Sequence, residues 1–102
     1  MGRLTAIEPR DADTLNNLGL VYADKGEWDR AIEMYERSLE ISERVGDVHG
    51  MAVTWNNLGE AYRALGQVDK ARDCWERALA VFERLGASKA EDVRGWLAEL
   101  EG

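Results

Sequence analysis

Residues 15–46 of the chain return, forty positions later, as residues 55–86. Leu15-Asn16-Asn17-Leu18-Gly19 with Tyr22 comes back as Trp55-Asn56-Asn57-Leu58-Gly59 with Tyr62. Asp29-Arg30-Ala31 becomes Asp69-Lys70-Ala71, and Glu43-Arg44-Val45-Gly46 becomes Glu83-Arg84-Leu85-Gly86. Fourteen of the 32 aligned positions are identical, a level that unrelated segments do not reach by chance. A fixed period of this length marks stacked supersecondary units, each unable to bury its apolar face alone. Fold and function are therefore to be read repeat by repeat.

Within each unit the apolar spacing is helical. Leu15, Leu18, Val21 and Tyr22 recur at i, i+3, i+6 and i+7, Asp11 or Asp13 can cap the N-terminus, and Lys25-Gly26 supplies the stop. A second helix is predicted from about Trp28 to Val45, with Ala31, Ile32, Tyr35, Leu39 and Ile41 inward and Gly46 ending it. Only Gly26-Glu27 lies between them, so the pair folds back as an antiparallel hairpin. Asp47 can cap a third helix running to about Leu65, and Val68 to Leu85 forms its partner after Gly66. Val53, Trp55, Leu58, Ala61, Tyr62 and Leu65 are expected inward on the third helix, and Ala71, Trp75, Ala78, Leu79, Phe82 and Leu85 on the fourth. Ser88-Lys89-Ala90-Glu91 has the form of a capping box opening a fifth helix, with Val93, Trp96, Leu97 and Leu100 on one stripe. One wet and one dry face suit a terminal lid.

The totals narrow the function classes. The chain's 102 residues allow one domain, and a net charge of −7 argues against a phosphate-binding surface. The 13 basic residues are interspersed among 20 acidic ones, so no nucleic-acid partner is expected. No apolar run approaches a membrane span, and no membrane partner is expected. Cys74 is the sole cysteine, which fits a reducing, cytoplasmic location. Met1-Gly2 is followed at position 6 by Ala rather than Ser or Thr, against a myristoylation signal.

The twice-repeated frame resembles the tetratricopeptide repeat, whose signature is W-x2-L-G-x2-Y followed by small, aromatic and small residues. Trp55, Leu58, Gly59, Tyr62, Ala71, Trp75 and Ala78 match it in order, as do Leu15, Leu18, Gly19, Tyr22, Ala31, Tyr35 and Ser38, with Leu15 in place of the Trp. The resemblance implies an all-α fold, a right-handed α-solenoid of stacked helix–turn–helix repeats. The expected plan is a single domain over 1–102: residues 1–10 a remnant of an upstream repeat, 11–46 repeat one, 47–86 repeat two, and 87–102 a capping helix. The forty-residue period is longer than the ordinary 34, and such long repeats are similar to those of kinesin light chains and LGN-type scaffolds. Ala6-Ile7-Glu8-Pro9 looks like the end of an ordinary repeat, so the chain reads as part of a larger scaffold or regulatory protein.

No catalytic constellation is evident, and no enzyme activity, cofactor or metal is expected. His49 lacks a spaced cysteine or acidic partner and reads as a surface histidine; Cys74 reads as a packed thiol. The candidates for function are the paired asparagines. Asn is a mediocre helix former, so two consecutive pairs are not propensity choices, and an amide can both donate to and accept from a peptide backbone. By the resemblance, the first helix of each repeat lines a concave groove, and Asn17 and Asn57 form a ladder along an extended peptide. Asn16, Leu20, Asp24, Asn56, Glu60 and Arg63 share that groove. Bonding between neighbouring helices, holding the superhelix register, follows equally from amide chemistry. Chaperone-tail recognition is not expected: Asn57 matches the central residue of that clamp, but Asn16 stands where Lys is wanted and Leu20 where Asn is wanted.

The expected function is thus a protein–protein interaction module that binds a protein or peptide ligand. The alternative is a self-associating structural unit, a homo-oligomer joined through Trp96 or through an exposed N-terminal apolar flank near Leu4, Ile7 and Leu15, or one in which chains exchange a helix hairpin.

Overall fold

The computed structural model describes residues 11–101. Five helices follow one another: α1 (Ala12–Asp24), α2 (Trp28–Val45), α3 (Val48–Ala64), α4 (Val68–Leu85) and α5 (Lys89–Glu101), with no strand among the described residues. Each helix packs on the next, and α1 also touches α3. The result is an all-α stack of helical hairpins, longer than it is wide at 55 × 29 × 18 Å. The predicted remnant at residues 1–10, with Leu4 and Ile7, lies outside the described residues.

The helix boundaries have local causes. Asp11 accepts from the Thr14 amide at 2.6 Å and Asp47 from the Gly50 amide at 2.9 Å, satisfying free donors at the starts of α1 and α3. Gly46 and Gly86 adopt the left-handed conformation, at φ +78° and +67°, and end α2 and α4. Gly26 and Gly66 take the same conformation inside the two hairpins, where a Cβ would be strained. At α5 the capping box is replaced by backbone: the Ala90 and Glu91 amides bond the Ala87 and Ser88 carbonyls at 3.1 Å.

Inside each hairpin a glycine meets an aromatic ring. A Cβ on Gly19 would fall within the ring of Tyr35, and one on Gly59 within the indole of Trp75. The absent side chains bring α1 onto α2 and α3 onto α4. Trp75 is 1% exposed, and burying an indole of this size contributes roughly 4–6 kcal/mol of transfer free energy before entropy is counted. Ala31, Ala52, Ala61, Ala71 and Ala78 are fully buried, letting neighbouring backbones approach. The core falls into two clusters. One centres on Tyr35, Leu58 and Cys74, the other on Trp75, Phe82, Ala90 and Val93 against α5.

Several expected core positions lie outside it. Leu65 and Leu85 are exposed because they sit at the ends of α3 and α4, and Val21 is exposed on the outer side of α1. Leu15, expected on an open flank, is buried.

Candidate functional site

The two asparagine pairs sit on α1 and α3, which lie side by side. Asn57 Nδ2 donates to Asn16 Oδ1 at 2.9 Å, a half-buried bond linking the second asparagine of one pair to the first of the other. Asn17 is exposed and turned away from this bond. Asn56 behaves differently from both. Its backbone carbonyl accepts from the Trp75 indole nitrogen at 3.1 Å, while its side-chain oxygen is buried with no hydrogen-bond partner. The translation that relates Asn16 to Asn57 takes Asn56 to Leu97, which has nothing to donate.

The remaining predicted residues are exposed along the same two helices. Leu20, Asp24, Glu60 and Arg63 all face solvent. Tyr35 ties two of them together: burial first, then the charges of Glu60 and Asp24, push its phenol up to about 12. Glu60 and Arg63 border a cleft of about 100 Å³ whose other walls are Trp75 and Trp96. There the Arg63 guanidinium lies 5.6 Å from the Trp75 ring centroid and 3.6 Å from Glu99. Trp96 stacks obliquely on Trp75 at 5.6 Å, with the Lys89 ammonium over it at 5.7 Å. Both tryptophans have a cation against one face, which stiffens this cleft.

A second concavity was not foreseen from the sequence. Near the N-termini of α1 and α3 a polar pocket of about 300 Å³ is lined by Asp13, Asn16, Ser38, Ser42, Asp47 and Thr54 among others. Ser38 Oγ donates to the Ala12 carbonyl at 2.8 Å and lies 3.4 Å from Thr54 Oγ1. Ser42 is fully buried, and its hydroxyl has no partner. The available signal was the repeat itself, because forty positions after Ser38 and Ser42 stand Ala78 and Phe82.

Other titratable groups do not assemble. Burial, with Asp73 adding to it, pushes the Cys74 thiol up to about 11, so it is a poor nucleophile at neutral pH. His49 is exposed, with its ring edge-on to Phe82 at 6.2 Å. Among the described residues no group of three His, Cys, Asp or Glu side chains is arranged to hold a metal ion. No helix among them is long and apolar enough to cross a membrane.

A family model of the tetratricopeptide repeat matches residues 10–84 and, in a second register, residues 50–94. The chain belongs to the tetratricopeptide-repeat family. No curated protein matches it. Tetratricopeptide repeats are generally protein–protein interaction modules and typically not enzymes. In this tetratricopeptide-repeat chain the Gly19–Tyr35 and Gly59–Trp75 contacts account for why the family frame folds as it does. The asparagines lie outside that frame.

Proposed function

We propose that the chain is a non-enzymatic binding module whose groove, along α1 and α3, takes an extended peptide of a protein partner. The observation that carries this is the Asn16–Asn57 bond at 2.9 Å. An amide pair fixed in this way has its rotamer entropy already spent, while Asn57 Oδ1 and the second Nδ2 hydrogen remain for a peptide main chain. Asn17, exposed one position on, offers a second amide, and Asp24, Glu60 and Arg63 supply charges that select side chains. The single buried thiol suits a reducing, cytoplasmic setting.

Peptides selected from a random library on the folded chain provide the test. Asn17→Ala combined with Asn57→Ala should weaken the selected peptides about tenfold or more while far-UV circular dichroism stays unchanged. Unchanged affinity in the folded double variant refutes the groove assignment.

Self-association is the second reading, favoured by Leu20 and Val21, which are 39% and 49% exposed and adjacent on α1. Trp96 contributes less to it, since that ring is half-buried against Trp75. Sedimentation over a concentration series separates the two, because a monomer throughout eliminates self-association.

A further inference from the structure

The pocket between the N-termini of α1 and α3 differs in kind from the same register one repeat on. Ser42, Asp47 and Gly50 are replaced, forty residues later, by Phe82, Ala87 and Ala90, which close an apolar seam against α5. In the first register the seam is open, and a fully buried hydroxyl at its floor has no hydrogen-bond partner. Such a group costs stability unless something completes it. Gly50 lets two acceptors converge: a Cβ there would run into the Asp47 carboxylate, whose other oxygen caps α3 through the Gly50 amide, and would lie 3.2 Å from Ser42 Oγ. An atom held between Ser42 Oγ and Asp47 is thus within reach of both.

The chemistry of the lining selects the occupant. Asp13, Asp47 and the imidazole of His49 line the pocket; among the described residues no Lys or Arg does, and neither carboxylate is in an ion pair. The acceptors are too few and too spread for a metal ion. A primary ammonium, with three N–H donors on a slender apolar stem, meets these conditions: hydroxyl floor, carboxylate walls, and Val53 and Ala12 beside the stem. The geometry points to a lysine-side-chain pocket, filled by a lysine of a protein partner. The pocket borders the groove at Asn16 yet does not depend on it.

The probe is Nα-acetyl-lysine N-methylamide, titrated into the ¹⁵N-labelled chain, with the norleucine analogue as the same stem lacking the ammonium. The lysine probe should shift the Gly50 and Thr54 amides saturably, and the norleucine probe should not. Ser42→Ala should weaken the lysine probe about tenfold without lowering the unfolding midpoint of the free chain. Asp13→Asn, at an exposed position, should weaken it severalfold and flatten its salt dependence. Asn17→Ala should leave it unchanged, which keeps this result separate from the fate of the groove assignment. Equal shifts from both probes, or no saturable shift from lysine, overturn the proposal. So does Ser42→Ala that destabilises the free chain and leaves probe binding untouched, the signature of an ordered water.

Discussion

If the Asn16–Asn57 bond holds α1 against α3, the two side chains must be energetically coupled, and a double-mutant cycle measures that coupling. The bond is 2.9 Å long and half-buried, so its net worth is about 0.5–1.5 kcal/mol. Asn57→Ala removes the bond and leaves Asn16 Oδ1 short of a donor, and Asn16→Ala does the reverse. Each single change should cost about 1–1.5 kcal/mol, reduced by the better helix propensity of Ala. The double variant should cost less than the sum, by about 1 kcal/mol. In a domain of this size that shortfall amounts to roughly 4–8 °C in the unfolding midpoint. Urea denaturation at 25 °C, with slopes unchanged across the four chains, gives the values. Asn17→Ala is the internal control: its side chain is exposed, and its cost should stay within about 0.5 kcal/mol. Additivity of the two single costs to within about 0.3–0.5 kcal/mol refutes the bridge.

Gly59→Ala should destabilise by roughly 1–3 kcal/mol, since the new methyl meets the Trp75 indole, and the near-UV signal of that tryptophan should change with it. Stability should also fall in alkali. The Cys74 thiol is raised from its ordinary 9.0 to about 11 in the fold, so the folded chain keeps a proton that the unfolded chain has released. That contribution is complete below about pH 9 and is lost as pH rises through about 11, and Cys74→Ala should remove it. The raised Tyr35 phenol, at about 12, adds a loss of the same sign that begins above pH 10 and persists in that variant. A wild-type curve that Cys74→Ala does not alter between pH 9 and 11 counts against burial of the thiol.

The parts of this molecule legible in the sequence are those that a short window specifies. Helical spacing, Asp11 and Asp47 as caps, and the glycines ending α2 and α4 are each decided within a few residues, and the structure has them where they were expected. The glycine-to-aromatic contacts were half legible. Gly19 and Gly59 stand at matching positions of the two repeats, but which ring meets each depends on the neighbouring helix. Leu65 and Leu85 carry the right periodicity and still face solvent, because periodicity says nothing about how far the opposing helix extends. The asparagines share one sequence and three environments: bridged at 16 and 57, exposed at 17, buried with a lone oxygen at 56. The partner that separates Asn16 from its copy lies in the next repeat, 41 residues on, which no local window contains. The Ser42 pocket was least legible, since three helices converge on it and no one of them encodes the gap.

The contrast between that hydroxyl-lined seam and the apolar one around Phe82 also bears on how the chain folds. An apolar seam gains free energy as soon as its side chains leave water, whereas hydroxyls gain only when their bonds are aligned. Docking of α1–α2 on the α3–α4 hairpin draws its early driving force from the Tyr35–Leu58 cluster, and the end of that seam around Ser42 lacks the apolar contribution that α5 gains around Phe82. The chain should nucleate in its C-terminal half and zip toward α1, and on unfolding the first hairpin should be the first to leave. A stack of units built on one frame thus acquires a preferred direction of assembly from a single register in which serine stands where its copy has phenylalanine.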